Sequence, residues 1–380
     1  MQTDEVHEHV DIKEDDIKED EDKGDDIEDG DRIPFDPKDL RIRTIQPTIS
    51  NIVDRIANNE IDLSPDFQRR SGLWKPPAKS RLIESLLVRI PLPTFYVEEM
   101  DDGRWIIIDG LQRLTILQDY ILEKKFALCD LQFYPEFVGK IFSELDRAYQ
   151  RRINETQVTV SLIEKDSSDK IKYAIFERIN TGGLVLSPQE IRHAMNQGPV
   201  AKLLQKIAED PRFAKATWNP QWKRMEEREC ILRFLAFYHY GVDSYPEKHP
   251  SLDSFLNHRM KQLNKETSEV LDKLENNFFV AIDIAGKLFG ERAFQKPSIS
   301  LSKTPFNKAI FEAWAVAIAH LSDDEREQLI QKKDFLVKKF RDLIENDNSV
   351  SASFTSSTGQ KGRVKTRFQA IKKIISDTLK

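Results

Sequence analysis

The amino-acid sequence predicts an α/β (α+β) domain followed by a mainly α-helical domain. Three observations carry this expectation. The apolar runs "TFYVEE", "RWIIID" and "QVTVSLIE" all precede residue 165, and their length and bounding turn residues are those of strands. Helical stretches lie before and between these runs, the one just before them opening on paired prolines. From about Val200 to Lys380 only helical periodicity remains.

With 380 residues and 39% hydrophobic side chains, the chain can build two or three domains with real cores. Its apolar runs "ILRFLAFY" and "AWAVAIAH" fall far short of a membrane span, which takes roughly 20 residues. Cys129 and Cys230 are too few for a disulfide framework, and the first residues lack the cationic and apolar parts of a secretory signal. A cytoplasmic protein without a membrane partner is expected. Charge is unevenly divided. Residues 1–32 hold sixteen acids and four bases, a balance of −12, so with −6 overall the other 348 residues carry +6. Few apolar anchors interrupt that acidic arm, and it reads as disordered. Its Asp20, Asp22 and Gly24 miss the offsets of a calcium loop. At the other end, "GQKGRVKTRFQAIKKIISDTLK" sets seven Lys/Arg against Asp377 alone. Such a run is either a solvated helix face or a phosphate-touching segment.

In chain order, a helix begins near Thr48, with Ile52, Val53 and Ile56 on one side, and gives way to "EIDLSPDFQRRSGLWKPP". "PPAKSRLIESLLVRIPLP" is a helix bounded by prolines, with Leu82, Ile83, Leu86, Leu87 and Ile90 at helical spacing and Lys79, Ser80, Arg81 and Glu84 opposite. "TFYVEE" and "RWIIID" flank "MDDG" and form a hairpin. The second of these strands runs straight into "DGLQR", after which Leu114, Leu117 and Ile121 carry a helix to about Glu123. Beyond the strand in "QVTVSLIE", the segment "DKIKYAIFERINTGGLVLSPQEIRHAMNQG" reads as two helices. The glycines end the first, and Ser187, Pro188 and Glu190 form a capping box for the second.

The polar residues that could carry chemistry gather at the breaks between elements. "DGLQR" is by itself a tight turn, but a helix N-terminus also offers unpaired N–H groups and partial positive charge to an anion. "PDFQRRSGLW" adds Gln68, Arg69 and Arg70, and the helix face adds Lys79, Ser80 and Glu84. "ERINTGG" adds Arg178, Asn180, Thr181, Gly182 and Gly183, whose backbone could form an anion nest. Convergence of these breaks would make a phosphate pocket. The seven histidines show no clustered ligand spacing, and no serine-hydrolase or redox-cysteine motif is present.

Five strings in one order, "LSPDFQR", "LIESLLVRIPLPTFYV", "WIIIDGLQRLTIL", "FERINTGGLVLSPQEIRHAM" and "RMEERECILRFLAF", resemble the N-terminal domain of GmrSD-type modification-dependent restriction proteins, also found in the phosphorothioate-sensing SspE proteins. The resemblance implies a ParB/sulfiredoxin-like nucleotide-binding domain over residues 33–165. A helical domain over 166–380, with a basic C-terminal segment, would bring "ERINTGG" to the same cleft. It further implies NTP binding and hydrolysis in a prokaryotic DNA-restriction or phage-defence system. The family signature Asp-Gly-Gln-Gln-Arg matches at Asp109, Gly110, Gln112 and Arg113, so Asp109, Gln112 and Arg113 are the expected catalytic residues. Gln68, Arg69, Lys79, Gly110, Arg178, Asn180, Thr181, Gly182 and Gly183 are expected to hold the nucleoside triphosphate, with Mg2+ alongside it. The base and the metal ligands are not specified.

Leu111 stands where the family has glutamine, which implies slow hydrolysis with binding retained. Arg224 to Glu229 read Arg-Met-Glu-Glu-Arg-Glu where the family has Arg-Met-x-Asp-x-Glu. The family's nuclease chemistry uses histidines of a separate C-terminal domain, and no such centre is expected in this chain. Expected partners are nucleotide, DNA and a separate nuclease or effector protein. The alternative reading is a non-enzymatic DNA-binding or effector-regulating module using the same pocket, and a third is a structural adaptor. Because so charged a segment buries little apolar surface, deleting residues 1–32 should leave the melting temperature unchanged by calorimetry. A large drop would show that the arm is docked.

Overall fold

The computed structural model describes residues 41–63, 74–100, 102–164, 167, 175, 187–218, 220–245, 249, 251–297 and 304–380. The acidic arm, Gln68 and Arg69, and the expected helix and loop containing Arg178 to Gly183 lie outside these residues. The described architecture is the expected one, an α/β unit followed by helices.

The α/β unit is built on a five-stranded sheet of order β1-β5-β3-β4-β2, comprising β1 (Ile42–Ile45), β2 (Ile61–Asp62), β3 (Phe95–Glu99), β4 (Trp105–Asp109) and β5 (Val160–Ile163). The hairpin β3–β4 is antiparallel, whereas β5 runs parallel to β3 and β2 parallel to β4. Gly103, at φ +81°, permits its turn. Alternation along the strands separates two faces. Phe95, Val97, Trp105, Ile107, Val160 and Leu162 enter one core, covered by α1 (Ile49–Ala57), α2 (Pro76–Leu87), α3 (Leu111–Leu117) and α4 (Arg147–Glu155). On the other face Ile108 and Ile163 pack with Ile191 of α5 (Pro188–Met195).

Three of these helices start as their sequence dictates. Thr48 accepts from the Asn51 amide at the head of α1, prolines open α2, and Ser187 and Glu190 close a reciprocal capping box on α5. The helix expected to reach Glu123 stays α-helical only to Leu117 and ends in a π-turn, Gln118–Leu122. The wider turn accommodates one extra residue. Tyr120 is thereby fully buried, and Asp119 meets Lys79 at 3.3 Å and Lys125 at 3.5 Å.

The helical part comprises α6 (Pro199–Glu209), α7 (Pro211–Ala216), α8 (Glu226–Tyr240), α9 (Leu252–Leu263), α10 (Ser268–Phe289), α11 (Lys308–Ala319), α12 (Asp323–Gln331), α13 (Lys333–Asn346), α14 (Asn348–Thr355) and α15 (Lys361–Leu379). It has one continuous apolar core. At its centre α8 is buried almost all round, as is α11. Each carries charge into that core. Arg367 of α15 donates through Nε to Glu312 Oε1 at 2.8 Å, and Glu312 Oε2 lies 3.3 Å from Arg233. Arg233 reaches Glu229 at 2.7 Å, and Glu229 Oε2 lies 3.5 Å from Arg192 of α5. Arg192 in turn pairs with Asp253 of α9. Among the described residues no helix is long and apolar enough to cross a membrane.

Burial by itself raises the Glu229 carboxyl, but Arg233, Lys308 and Arg192 overcome it and hold the group down at about 2. A carboxylate depressed on folding stabilises the protein above its unfolded pKa. That contribution should be lost as pH falls from about 4.5 toward 2, which melting curves across this window will register. Arg367→Met, which leaves Glu312 with one partner fewer in the core, should cost about 3–5 kcal/mol in chemical denaturation. The double change Glu312→Met with Arg367→Met should cost less than the sum of the single ones, and strict additivity would show the pair to be uncoupled.

Candidate functional site

The strand-to-helix joint after β4 is the candidate site closest to the sequence expectation. Gly110 caps α3 at φ +97°, a backbone conformation that L side chains rarely adopt. A Cβ there would lie 2.4 Å from Cδ1 of Phe95, so glycine is required twice over. No side chain caps the helix. Its ladder begins with the Leu114 amide donating to Gly110 O at 2.9 Å, which leaves the amides of Leu111, Gln112 and Arg113 ahead of it.

Arg113 turns inward. Its Nη2 donates to Asp109 Oδ2 at 2.8 Å and to Thr94 O at 3.3 Å, its Nη1 donates to Pro93 O, and its guanidinium lies 4.5 Å over the Phe95 ring. Burial pushes this guanidinium down, while neighbouring Asp109 opposes the shift. Arg113 is therefore a strut that fixes Asp109 and the loop before β3, not a free donor for a ligand. Asp109 stays accessible, with 38% of its side chain exposed against 11% for Arg113. Half-buried Gln112 makes no side-chain hydrogen bond with any described residue. Leu111 packs against the α/β core.

The polar face of α2 also differs from its expectation. Lys79 pairs with Asp119. Ser80 donates to Pro76 O at 3.0 Å and accepts the Cys129 amide at 3.0 Å. Buried Glu84 accepts the amides of Gln132, Phe133 and Tyr134 at 3.1, 2.6 and 3.2 Å. Helical spacing puts these side chains on one face, but Ser80 and Glu84 there hold the 128–134 loop, and Lys79 is paired with Asp119 of the π-turn. Gln68, Arg69, Arg178, Asn180, Thr181, Gly182 and Gly183 lie outside the described residues, and among those described no cluster of three or more His, Cys, Asp or Glu could hold a metal ion.

On the far side of the sheet, α5 is gripped from two directions. Ile191 meets Ile108 directly beside Asp109 in sequence. Buried Glu190 receives Arg224 Nη2 at 2.9 Å and Nε at 3.2 Å, and Ser187 donates to Arg224 O at 2.8 Å. Arg224 and Met225, at φ +54° and +64°, make the tight entry into α8 that this contact needs. Residues 49–196 match the family described as GmrSD restriction endonuclease, N-terminal domain. That segment is a GmrSD N-terminal domain. Its matched span includes the whole joint and ends just after α5. A comparison with curated proteins finds no match.

Sequence reasoning missed the residues that couple this GmrSD domain to the helices, namely Arg192, Glu229, Arg233, Glu312 and Arg367. A usable signal existed, since Arg233 in "ILRFLAFY" and Glu312 in "AIFEAWAVAIAH" are single charges inside apolar helical runs. Such charges are buried only with partners. The geometry separates two kinds of variant. Arg113→Lys should lose about 1.5–3 kcal/mol of stability, because one ammonium cannot replace the planar fork. Gln112→Ala should leave the melting temperature unchanged by calorimetry. The reverse pattern would show that Gln112, not Arg113, is the strut.

Proposed function

We propose that the GmrSD N-terminal domain of this chain binds a nucleoside triphosphate and hydrolyses it slowly, as a component of a DNA-restriction or phage-defence system. The observation that carries the reading is the left-handed Gly110 at the head of α3. It leaves three backbone amides ahead of the helical ladder, beside an accessible Asp109 and a Gln112 without a described partner. Amides at a helix start receive phosphate oxygens. Arg69 and Arg178, matched through the family resemblance, would supply positive charge to the same phosphates. The half-exposed Asp109, anchored by Arg113 through one oxygen only, suits Mg2+, which takes one or two carboxylates together with phosphate oxygens and water. The ion would neutralise phosphate charge. Asp109 would hold its place, and Gln112 would hydrogen-bond the phosphates or a water molecule.

Leu111 supports slow turnover, because its side chain packs into the core and neither donates nor accepts a hydrogen bond. The same observation favours the second reading, a regulatory module that holds nucleotide without turning it over. Calorimetric titration with each of the four NTPs and Mg2+ tests binding, and Gln112→Ala should weaken it about tenfold, the loss of roughly one hydrogen bond to a charged group. Phosphate release then tests turnover. Leu111→Gln should raise the rate with little change in affinity, since the group it restores acts in the transition state. Brisk turnover by the native chain, lowered by Leu111→Gln, would make Leu111 a tolerated packing residue and place the water elsewhere. Absence of binding for all four NTPs would remove the nucleotide reading altogether.

A further inference from the structure

We propose that the outer face of α15 is a docking stripe for the phosphate backbone of duplex DNA, separate from the Gly110 joint and independent of the nucleotide reading. The helix spans nineteen residues, Lys361–Leu379. Val364, Arg367, Ile371, Ile374 and Ile375 are buried on its inner side, where Arg367 is locked to Glu312. Lys361, Lys365, Lys372 and Lys373 are all exposed. At 100° per residue these four fall within a sector of about 120° that also holds Gln369 and Ser376.

None of the four lysines is ion-paired with a described residue, whereas Lys206, Lys287, Lys308 and Lys339 of other helices each meet a carboxylate. The only acid of α15, Asp377, lies beyond the stripe and faces Lys339. Four free ammonium groups are thus held along about 18 Å of rigid helix at 1.5 Å per residue. One strand of B-form DNA places about five phosphates in that length at 3.4 Å each.

The composition of the stripe selects among polyanions. It has no exposed apolar residue, so a protein partner would find no hydrophobic centre for an interface. A membrane surface would find no apolar face to bury, because the apolar side of α15 is already in the core. It has no aromatic side chain on which unpaired bases could stack, which disfavours single strands. What remains is lysine as a point charge with Gln369 and Ser376 as neutral donors, a set that suits phosphate contacts without sequence preference.

The test is fluorescence anisotropy of the full chain with a labelled 20-base-pair duplex between 50 and 200 mM NaCl. It compares two variants of equal charge change. One carries Lys361→Glu, Lys365→Glu, Lys372→Glu and Lys373→Glu. The other carries Lys202→Glu, Lys215→Glu, Lys265→Glu and Lys273→Glu, four lysines exposed elsewhere on the helical part and likewise unpaired among the described residues. Circular dichroism should show both variants folded. The native affinity should fall on the order of 100-fold across this salt range, and the stripe variant should lower the log–log salt slope by about 3–4, the value for four lost phosphate contacts. Its affinity at 100 mM should fall at least tenfold while the second variant keeps the native slope. Equal losses in both variants would show a diffuse field without a site, and no loss in the stripe variant, or no binding by the native chain, would overturn the proposal.

Discussion

The helical part of this molecule depends on a row of charges in which signs alternate, from half-exposed Asp253 through buried Arg192, Glu229, Arg233, Glu312 and Arg367, across α9, α5, α8, α11 and α15. Each of the four inner members has a partner on both sides. Isolated charges could not be buried at these positions, since desolvation costs several kcal/mol per ion. The row therefore constrains how five helices pack: shifting one of them strands a charge on its neighbour. An apolar core tolerates sliding and repacking far better, because its contacts are not paired one to one.

At the joint after β4, charge is used differently. Arg113 is buried and saturates carbonyls of the preceding loop while gripping one oxygen of Asp109. The consequence is an aspartate whose position is determined from inside and whose other oxygen remains available. Gly110 makes the arrangement feasible, because the Phe95 ring beneath the guanidinium occupies the space a Cβ would need. A ligand-facing group supported by a buried partner is better preorganised than one held only by solvent. The division of labour within Asp-Gly-Leu-Gln-Arg thus assigns geometry to Gly110 and Arg113 and leaves contact to Asp109, Gln112 and the helix amides.

Local rules made most elements legible: the "MDDG" hairpin, the proline-opened α2 and the Ser187 capping box each rest on residues within a few positions of one another. What escaped was direction. Periodicity puts Lys79, Ser80 and Glu84 on one face of α2, but only the tertiary structure shows that the 128–134 loop takes the hydrogen-bonding capacity of Ser80 and Glu84 while Asp119 takes Lys79. Arg113 follows the same rule, since a first-turn arginine can point to solvent or, as here, back beneath its own strand. The π-turn at Gln118–Leu122 was equally out of reach, because it answers to the burial of Tyr120 and the pairing of Asp119 with lysines 40 residues back and 6 ahead.

These two uses of charge meet at α5. Its Ile191 packs on Ile108, the residue before Asp109, while Arg192, the next residue along, heads the buried row through Glu229. Glu190, on the other side, is held by Arg224 at the entry to α8. Consecutive residues of one short helix thus touch the sheet, the row and the α8 entry. A displacement at the joint that moved Ile108 would press on a helix with no slack on its far side, because Arg192 is fully buried and paired with both Asp253 and Glu229. Such a displacement must either be resisted by the row or carry α5 and its partners together. A well-packed interior favours discrete alternatives of this kind over gradual deformation. Among the described residues, a physical route between the candidate site and the helices is accordingly the step from Ile191 to Arg192, beside the Glu190–Arg224 pair.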